Sequence, residues 1–155
     1  MELSETIDRK CMKQVTLFCD GSSLGNPGPG GYGGILRYAE HEKEYGGYDL
    51  YTTNNKMELK AVIEGLKLLK EPCEVEVVSD SSYVVKGINE WLPNWQKKEF
   101  KKVKNPELWR EYVRVSKPHK IKATWVRGHD GHIENERCDA IAKEQAEKAK
   151  ALQNA

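Results

Sequence analysis

Two short apolar runs in this chain each end in an aspartate, and this feature constrains the fold more than any other. The first run is Val15–Cys19, which closes on Asp20 and a glycine, and the second is Val75–Ser79, which closes on Asp80. Runs that are β-branched and bounded by turn residues predict short buried strands. If the two strands are neighbours, their terminal carboxylates lie side by side. Because nearby carboxylates repel one another unless cations lie between them, the pair favours a Mg²⁺ site.

Each acid on its own has an ordinary structural explanation. Asp20 could be the first residue of an Asp-Gly turn, and Asp80 could cap the segment that follows it. Glu58 falls in the first turn of a predicted helix, three residues after Asn55, and the two could form a capping pair. Asp139 could be one solvated helix acid among many. The acids therefore indicate chemistry only as a set.

The periodicity of the apolar residues predicts an α/β fold. The predicted elements, in chain order, are strands 13–19, 32–38 and 43–50, helix 56–70, strand 74–79, a short helix after Asp80, helix 106–116, strand 121–126 and helix 134–149. The short connection at 39–42 favours an antiparallel hairpin, whereas helical crossovers favour parallel additions to a sheet. We expect a single mixed five-stranded sheet, with three antiparallel strands plus two parallel ones, flanked by helices on both faces.

The length and composition favour one domain without a membrane segment. The chain has 155 residues, which suits a single hydrophobic core, and its net charge is +1. Residues 13–147 are expected to form that domain, after a flexible leader at residues 1–12 and before a frayed tail at residues 148–155. No apolar run approaches a membrane span, and the polar start lacks a signal-peptide segment. We therefore expect a cytoplasmic protein, and a monomer with no obligate protein partner, since no spare apolar face is evident.

The four cysteines do not indicate a metal or redox site. They are Cys11, Cys19, Cys73 and Cys138, and they show neither a C-x-x-C pair nor zinc-ligand spacing with histidine. Cys19 falls in an apolar strand, where buried free thiols are common. All four are expected to be reduced and non-catalytic.

Residues 91–105 combine aromatic and basic side chains. Trp91, Trp95 and Phe100 are interleaved with lysines, and residues 97–104 contain five lysines against one acid, a local charge of +4. Such interleaving is typical of a surface that binds nucleic-acid phosphates. The alternative is a solvated loop whose tryptophans belong to the core, and we expect a core position for Trp95 and Trp109.

Four blocks of residues, taken together, are similar to one known family. The blocks are Asp20-Gly21-Ser22, Thr53-Asn54-Asn55-x-x-Glu58, Asp80-Ser81-x-Tyr83 and Gly128-His129-x-Gly131-His132-x-Glu134-Asn135-Glu136-x-Cys138-Asp139. Their order, spacing and predicted secondary structure resemble bacterial ribonuclease HI over residues 13–147. Any one block would be weak evidence, whereas all four in order are specific to the family.

The resemblance implies a magnesium-dependent endonuclease that hydrolyses the RNA strand of RNA·DNA hybrids and leaves 5′-phosphate and 3′-hydroxyl ends. By position, the metal-binding catalytic carboxylates would be Asp20, Glu58, Asp80 and Asp139. His129 would assist proton transfer or product departure, and a histidine pKa of about 6.5 suits proton exchange at neutral pH. The implied cofactor is Mg²⁺, as two ions once substrate is bound, with Mn²⁺ as a substitute. Two such ions about 4 Å apart can hold the attacking and the leaving oxygen of a phosphodiester.

The resemblance also implies how the hybrid would be bound. A sequence-independent site reads backbone shape and 2′-hydroxyls instead of base edges. Gly21 and Ser22 would lie near RNA 2′-hydroxyls beside the scissile phosphate, and Thr53 with Asn105 would form a pocket for a DNA-strand phosphate. The other implied substrate-binding residues, which would contact the minor groove, the DNA strand or its phosphates, are Asn26, Asn54, Asn55, Trp91, Lys97, Lys98, Lys101 and Lys102.

Two other functions remain open from the sequence. A resolvase- or integrase-type nuclease with the same strand-end carboxylates would cut DNA. The asparagines before Glu58 argue against it, because they suit 2′-hydroxyl readout. A non-catalytic hybrid-binding module is the second alternative. The four acids argue against that one, because a pure binder gains nothing from negative charge clustered near phosphates.

Overall fold

The computed structural model describes residues 12–128 and 132–154 of the chain. Its strands are β1 (Lys13–Ser23), β2 (Gly28–Tyr38), β3 (His41–Thr52), β4 (Cys73–Ser79) and β5 (Lys120–Trp125). Its helices are α1 (Asn54–Lys67), α2 (Ser82–Lys86), α3 (Leu92–Lys97), α4 (Pro106–Ser116) and α5 (Ile133–Gln153), and a π-helical turn, Gly87–Trp91, joins α2 to α3. Of the predicted leader, residues 1–11 lie outside the described residues.

The five strands form one mixed sheet in the order β3-β2-β1-β4-β5. β1, β2 and β3 pair antiparallel in sequence, as the short hairpin connection predicts. β4 is added parallel to β1, and β5 parallel to β4, after the helical crossovers. The predicted sheet of three antiparallel strands plus two parallel ones is therefore confirmed. This order makes β1 and β4 neighbours, which is the condition that the paired aspartates require.

One face of the sheet carries the main hydrophobic core. Alternate residues of β1 and β4, such as Leu17 and Val77, are fully buried there, because successive strand residues point to opposite faces. α1 covers this face with an apolar side, and α4 adds Trp109, which is completely buried. Full burial of a large apolar side chain contributes about 1.5–3 kcal/mol. Trp109 is a core residue as predicted, and Trp95 packs against the same core while only partly buried.

The opposite face is covered by α5, which packs on β1, β2 and β3. The helix approaches closely because β2 is rich in glycine. A Cβ at Gly31 would overlap the main chain of α5 at Ala142 and Ala146. Helices therefore lie on both faces of the sheet, as predicted. This close packing also brings Asp139 of α5 to the cleft at the ends of β1 and β4.

Two of the differences between the predicted and observed element bounds in the first half of the chain have a clear cause. β1 continues past the predicted end at residue 19, because residues 20–23 pair with the glycine-rich start of β2. That part of β2 precedes the predicted strand 32–38, because its glycines favour a turn, but glycines can also extend when a partner strand pairs with them. α1 begins at Asn54, two residues early, because the Thr53 hydroxyl caps it by accepting a hydrogen bond from the Lys56 N–H at 3.3 Å.

α5 is longer than the sequence predicts. Residues 148–153 continue the helix and do not form the expected frayed tail. Two contacts explain the extension: Ala149 is fully buried, and Gln153 Nε2 donates to the Leu50 carbonyl of β3 at 2.8 Å. No helix within the described ranges, α5 included, is long and apolar enough to cross a membrane.

The open edge of β5 is occupied by one asparagine of the π-helical turn. Asn89 Nδ2 donates to the Ala123 carbonyl at 2.8 Å, and the Ala123 N–H donates to Asn89 Oδ1 at 3.1 Å. The Asn89 side chain thus satisfies both the N–H and the carbonyl of Ala123. In an unprotected edge strand these backbone groups could pair with another chain. A Cβ at Gly87 would overlap the Trp109 ring, so the turn is also held tightly against the core.

The described cysteines are buried free thiols. They are Cys19, Cys73 and Cys138, whereas Cys11 lies outside the described residues. Burial raises the pKa of Cys19 well above its ordinary value and that of Cys138 to about 12. These thiols stay protonated and unreactive at neutral pH, in agreement with the prediction that they are reduced and non-catalytic.

His119 should make the stability of this fold depend on pH. Its Nδ1 accepts a hydrogen bond from the Cys73 N–H at 3.1 Å, and burial lowers the pKa of the imidazole. The unfolded chain then takes up a proton at higher pH than the folded chain does. Stability should therefore fall as pH drops through the unfolded value of about 6.5. Because the ring is only partly buried, we expect a loss of no more than about 0.5–1 kcal/mol between pH 7 and pH 5.

Urea unfolding of the wild type and of His119→Gln at both pH values measures this effect. The difference between the two proteins isolates the histidine from every other group that titrates in the same range. The variant should lose less stability on acidification, and equal losses in the two proteins would contradict the assignment.

Candidate active site

Two aspartates lie side by side where β1 and β4 part. The parallel pairing of these strands ends at Phe18 and Val78, and Asp20 and Asp80 follow two residues later on each chain segment. β1 continues by pairing with β2 alone, whereas the chain after β4 turns into α2. Parallel neighbours of matched register therefore present both carboxylates at one edge, and the predicted adjacency is confirmed.

Glu58 completes a cluster of three carboxylates. Oxygen atoms of Asp20, Glu58 and Asp80 lie within 4.8 Å of one another. Glu58 reaches this place because the first turn of α1 packs directly on Gly21, where a Cβ would overlap the backbone of Met57 and Glu58. The Gly21 N–H also donates to the Glu58 carboxylate. The segment that approaches the Asp-Gly pair so closely is therefore the start of α1.

Burial and mutual repulsion hold protons in this cluster. Asp20 is only 5% exposed and Glu58 only 8%, so the loss of hydration disfavours their ionised forms. Burial, together with the Asp80 charge, raises the pKa of Asp20 to about 7, although hydrogen bonds from Glu58 and the Gly21 N–H lower it. Burial and the adjacent Asp20 raise the pKa of Glu58 well above its ordinary value. A cation between the carboxylates would reverse this balance by stabilising their charged forms.

Asp139 reaches the same cleft from α5. It lines the cleft with the three clustered acids, and its carboxyl group raises the pKa of Asp20. Its Oδ2 forms an ion pair with Lys143 Nζ at 3.0 Å, one turn further along the helix. The fourth predicted carboxylate is therefore at the site. It comes from α5 and Glu58 from α1, and these two helices cover opposite faces of the sheet.

Gly128, which follows β5, lies beside Asp80. A Cβ at Gly128 would lie 2.7 Å from Asp80 Oδ2. His129, which follows Gly128, lies outside the described residues, so its role stays a prediction. The position of Gly128 nevertheless shows that the chain just before His129 borders the carboxylates.

Asparagine side chains hold the rim of the cleft and leave donors available. Asn54 Oδ1 accepts from the Ser23 N–H at 2.8 Å and from the Ser23 hydroxyl at 3.0 Å, and Asn26 Oδ1 accepts from the Asn54 N–H at 3.1 Å. These bonds use the amide oxygens, so the –NH₂ groups of Asn26 and Asn54 remain available to a ligand. The predicted contact residues that line the same cleft as the carboxylates are Gly21, Ser22, Asn54 and Asn55.

A second cleft lies between the end of β3 and the starts of α1 and α4. Its lining includes Thr52, Lys56 and Asn105. Thr52 is only 3% exposed, and its hydroxyl has no hydrogen-bond partner among the described residues. Buried polar groups are normally satisfied, by water or a ligand if not by protein. Thr53 and Asn105, the predicted phosphate pocket, are only partly brought together. Asn105 lines this cleft, whereas Thr53 caps α1 beside it.

The basic segment forms one exposed lysine cluster. The four lysines that share this surface depression are Lys97, Lys98, Lys101 and Lys102. Arg110 of α4 holds the segment by donating to the Glu99 carbonyl at 3.2 Å and by stacking on the Phe100 ring. At the other end of the segment Trp91 is 39% exposed and packs against Trp95. The segment therefore offers a positively charged surface next to an accessible aromatic ring.

Two further residues shape the site: Tyr83 stands in one of the four sequence blocks without an assigned role, and Ser23 was missed. Ser23 anchors Asn54, and Tyr83 lines the acidic cleft while its hydroxyl accepts hydrogen bonds from residues of α4 and the segment before it. For Tyr83 the available signal is its spacing from Asp80, which puts the tyrosine in the first turn of the helix that follows the acid. No comparable signal marks Ser23.

Comparisons with known proteins agree with this geometry. The RNase H family model matches residues 12–147. The chain is also similar to the protein named Ribonuclease H from Sulfurovum sp. (strain NBC37-1). The two are 65% identical over 145 residues, which cover 94% of this chain and 99% of that protein.

Two solved structures share the fold. LC9-RNase H1, described as a type 1 RNase H with the type 2 active-site motif, has a TM-score of 0.82 and 31% identity, covering 89% of this chain and 74% of that one. LC11-RNase H1, solved in complex with an RNA/DNA hybrid, has a TM-score of 0.65 and 25% identity, covering 87% and 98% respectively. The mixed sheet with its covering helices is therefore common to these proteins and to this chain.

Proposed function

The chain belongs to the ribonuclease H family, and on this basis we propose that it is a magnesium-dependent endonuclease that hydrolyses the RNA strand of RNA·DNA hybrids. The family match and the Sulfurovum relative support the enzyme class and agree with the resemblance in the sequence. The observation that carries the proposal is the convergence of Asp20, Glu58 and Asp80 within 4.8 Å. Buried carboxylates that repel one another weaken a metal-free fold, and strongly perturbed groups of this kind concentrate at functional sites.

The donor set of the acidic cleft fits Mg²⁺. Carboxylate oxygens are hard ligands, and Mg²⁺ is held by a few of them while it keeps bound waters. The raised pKa values of Asp20 and Glu58 support this assignment, because they reflect burial and the repulsion of neighbouring carboxylates, both of which a bound cation would offset. Asp20, Glu58, Asp80 and Asp139 would hold two ions once substrate is bound, with Mn²⁺ as a substitute. When bound, the ions would supply a hydroxide-like nucleophile and stabilise the departing 3′ oxygen, which leaves 5′-phosphate and 3′-hydroxyl ends.

The RNA strand would be recognised by the rim of the acidic cleft. Gly21 and Ser22 line it beside the carboxylates, where the scissile phosphate would lie. The free –NH₂ groups of Asn26 and Asn54 can donate to minor-groove acceptors and 2′-hydroxyls, with Asn55 beside them. The hybrid bound to LC11-RNase H1 supports this substrate class.

The DNA strand would contact two outer surfaces. Asn105, with Thr53 nearby, would bind one phosphate in the second cleft, where Lys56 adds positive charge. Trp91 would lie against the strand, and the lysine cluster would neutralise phosphates further along it. His129 is proposed, on the resemblance alone, to assist proton transfer or product departure.

We also propose that the protein works as a monomer in the cytoplasm, without a membrane or an obligate protein partner. Residues 13–147 would form its catalytic domain after the leader. The described residues support a single domain, because they build one sheet around one main core. Sedimentation at several protein concentrations measures the oligomeric state.

One assay separates this proposal from a DNA nuclease and from a non-catalytic binding module. Labelled hybrid, duplex DNA and duplex RNA are incubated with the protein in Mg²⁺, and then in EDTA. Cutting of only the RNA strand of the hybrid, abolished by EDTA, is the expected result. Cutting of duplex DNA would favour the resolvase- or integrase-type alternative, and binding without cutting would favour the module.

Binding of Mg²⁺ should release protons near neutral pH. Asp20 has a pKa of about 7 in the metal-free protein, so a cation that needs its ionised form must displace a proton below that pH. The affinity for Mg²⁺ should therefore be about tenfold weaker at pH 6 than at pH 8. Titration calorimetry in two buffers of different ionisation enthalpy counts the released protons. The same Kd at both pH values would contradict the prediction.

A further inference from the structure

The hydroxyl of Tyr83 joins the two clefts of this protein. Tyr83 lines the acidic cleft and Asn105 lines the second one. Asn105 Nδ2 donates to the Tyr83 hydroxyl at 3.1 Å, and the buried Trp109 Nε1 donates to it at 2.8 Å. The Lys104 carbonyl lies 3.5 Å from the same oxygen, where it can accept the hydroxyl proton. One oxygen atom therefore has three partners from the segment that ends the basic region and begins α4.

These partners decide which end of the Asn105 amide faces Tyr83. The Trp109 indole can only donate, and a backbone carbonyl can only accept. With one lone pair taken by Trp109 and the proton directed to Lys104, the hydroxyl has a single acceptor position left. The –NH₂ group of Asn105 fills that position, with Nδ2 at 3.1 Å from the hydroxyl oxygen. The second N–H of the same group is then available to a ligand in the second cleft.

The local conformation of Asn105 indicates that its side chain is reserved for this contact. The residue is the N-cap of α4, where an asparagine side chain normally accepts a hydrogen bond from the helix backbone. Here it makes no capping bond, and its backbone is left-handed, with φ 57° and ψ 48°. Asparagine tolerates this conformation better than most residues do. Such local departures are stabilised by the surrounding structure and concentrate at functional positions.

We propose that Tyr83 is a positioning residue for substrate binding, whose hydroxyl holds the Asn105 amide with an N–H directed to a DNA-strand phosphate in the second cleft. The inference rests on the proposed function, since it specifies how one predicted contact of the hybrid is oriented. A phosphate oxygen is an anionic acceptor, so it binds an amide –NH₂ and is repelled by an amide oxygen. Removal of the Tyr83 hydroxyl would free the Asn105 amide to turn. In part of the molecules the amide oxygen would then face the phosphate and repel it.

The substitution Tyr83→Phe tests this role by removing one oxygen. We expect the KM for the hybrid, and its Kd by fluorescence anisotropy in EDTA, to rise roughly three- to tenfold, as for the partial loss of one hydrogen bond. The kcat should stay within about twofold of the wild type, because the contact is equal in ground and transition states. Tyr48→Phe is the matched control, since Tyr48 is 40% exposed on β3 and lies outside both clefts.

A double-mutant cycle separates positioning from a general effect on the fold. If Tyr83 acts through Asn105, then Tyr83→Phe should have no further effect on hybrid affinity once Asn105→Ala is present. Independent, additive losses would overturn the inference, because they would place the effect on the carboxylates or on the fold. An unchanged KM and Kd in Tyr83→Phe would overturn it as well.

NMR of the wild type tests the orientation without any variant. Of the two side-chain –NH₂ protons of Asn105, one should exchange with water more slowly than the other because of its hydrogen bond to Tyr83. Equal exchange rates for the two protons would overturn the inference. Failure of the proposed function looks different: neither wild type nor any variant would bind the hybrid, while the protection at Asn105 would persist.

Discussion

Replacement of either Asp20 or Asp80 by asparagine should remove nearly all cleavage while the protein stays folded. Each substitution removes one ionised oxygen from the cluster of three that lie within 4.8 Å. A bound divalent ion stabilises a phosphodiester transition state by several kcal/mol, so its loss should lower the rate by roughly 10³-fold or more. Hybrid cleavage in Mg²⁺, with Mg²⁺ binding followed by calorimetry, measures the effect. Near-wild-type activity in either variant would refute the metal assignment.

The matched control for these variants is Glu74→Gln, which removes an acid from β4, the strand that ends just before Asp80, but outside the acidic cleft. It should cleave the hybrid and bind Mg²⁺ like the wild type. A loss of activity there would mean that the effect of the aspartates reflects general charge or folding and not a specific site.

The substitution Asp20→Asn should also stabilise the metal-free protein. The raised pKa of Asp20 means that, between about pH 4 and pH 7, the folded state keeps a proton that the unfolded chain has lost. Wild-type stability therefore falls as pH rises through this range. In EDTA at pH 8 the variant should be about 1–3 kcal/mol more stable than the wild type, and near pH 4 the two should be equal. Urea unfolding at both pH values measures the difference, and a destabilised variant at pH 8 would contradict the assigned repulsion.

Removal of the lysine cluster should weaken hybrid binding far more than it slows the chemical step. The quadruple substitution changes Lys97, Lys98, Lys101 and Lys102 to alanine. These side chains are exposed and lie outside the acidic cleft, so their phosphate contacts would be the same in ground and transition states. We expect KM to rise roughly tenfold or more at low salt while kcat changes little. Each lost contact should also flatten the slope of log affinity against log salt by about 0.9.

The size of the slope change counts the lysines that reach the hybrid. A control protein loses the same number of positive charges elsewhere, at the exposed positions Lys117, Lys120, Lys122 and Lys148. It should keep the wild-type slope, which separates specific contacts from an effect of net charge. If the cluster variant showed unchanged KM and slope, hybrid affinity would have to reside in another surface.

Much of the fold could be predicted from the sequence, because the strands and helices carry their own periodicity. The alternation around Leu17 and Val77 and the helical spacing in α1 and α4 predict elements within a few residues of those observed. The errors fall where a distant partner decides the conformation. Glycines that could form a turn extend because β1 pairs with them, and the end of α5 is ordered through Ala149 and Gln153 by contacts with the sheet.

The acidic site was predictable in a different way. The strand pattern alone predicts the neighbouring Asp20 and Asp80, provided that β1 and β4 are adjacent. Glu58 and Asp139 were assigned by resemblance, because α1 and α5 bring them to the cleft from opposite faces of the sheet. The raised pKa values of Asp20 and Glu58 depend on burial, which no local pattern reports.

By itself the sequence determined most of the elements and the mixed antiparallel and parallel character of the sheet, since these follow from short-range periodicity, and its motifs of a few residues identified the carboxylates through the family resemblance. The tertiary structure decided that β1 and β4 are neighbours. Only the tertiary structure decided how Gly21 admits the backbone of Glu58 and how Tyr83 holds Asn105. The partners of Tyr83 lie 21 to 26 residues away along the chain, and no local pattern encodes that separation. Packing of α4 against α1 and the core brings them together, and the hydrogen bond from Asn105 Nδ2 to the Tyr83 hydroxyl then sets the orientation of the amide.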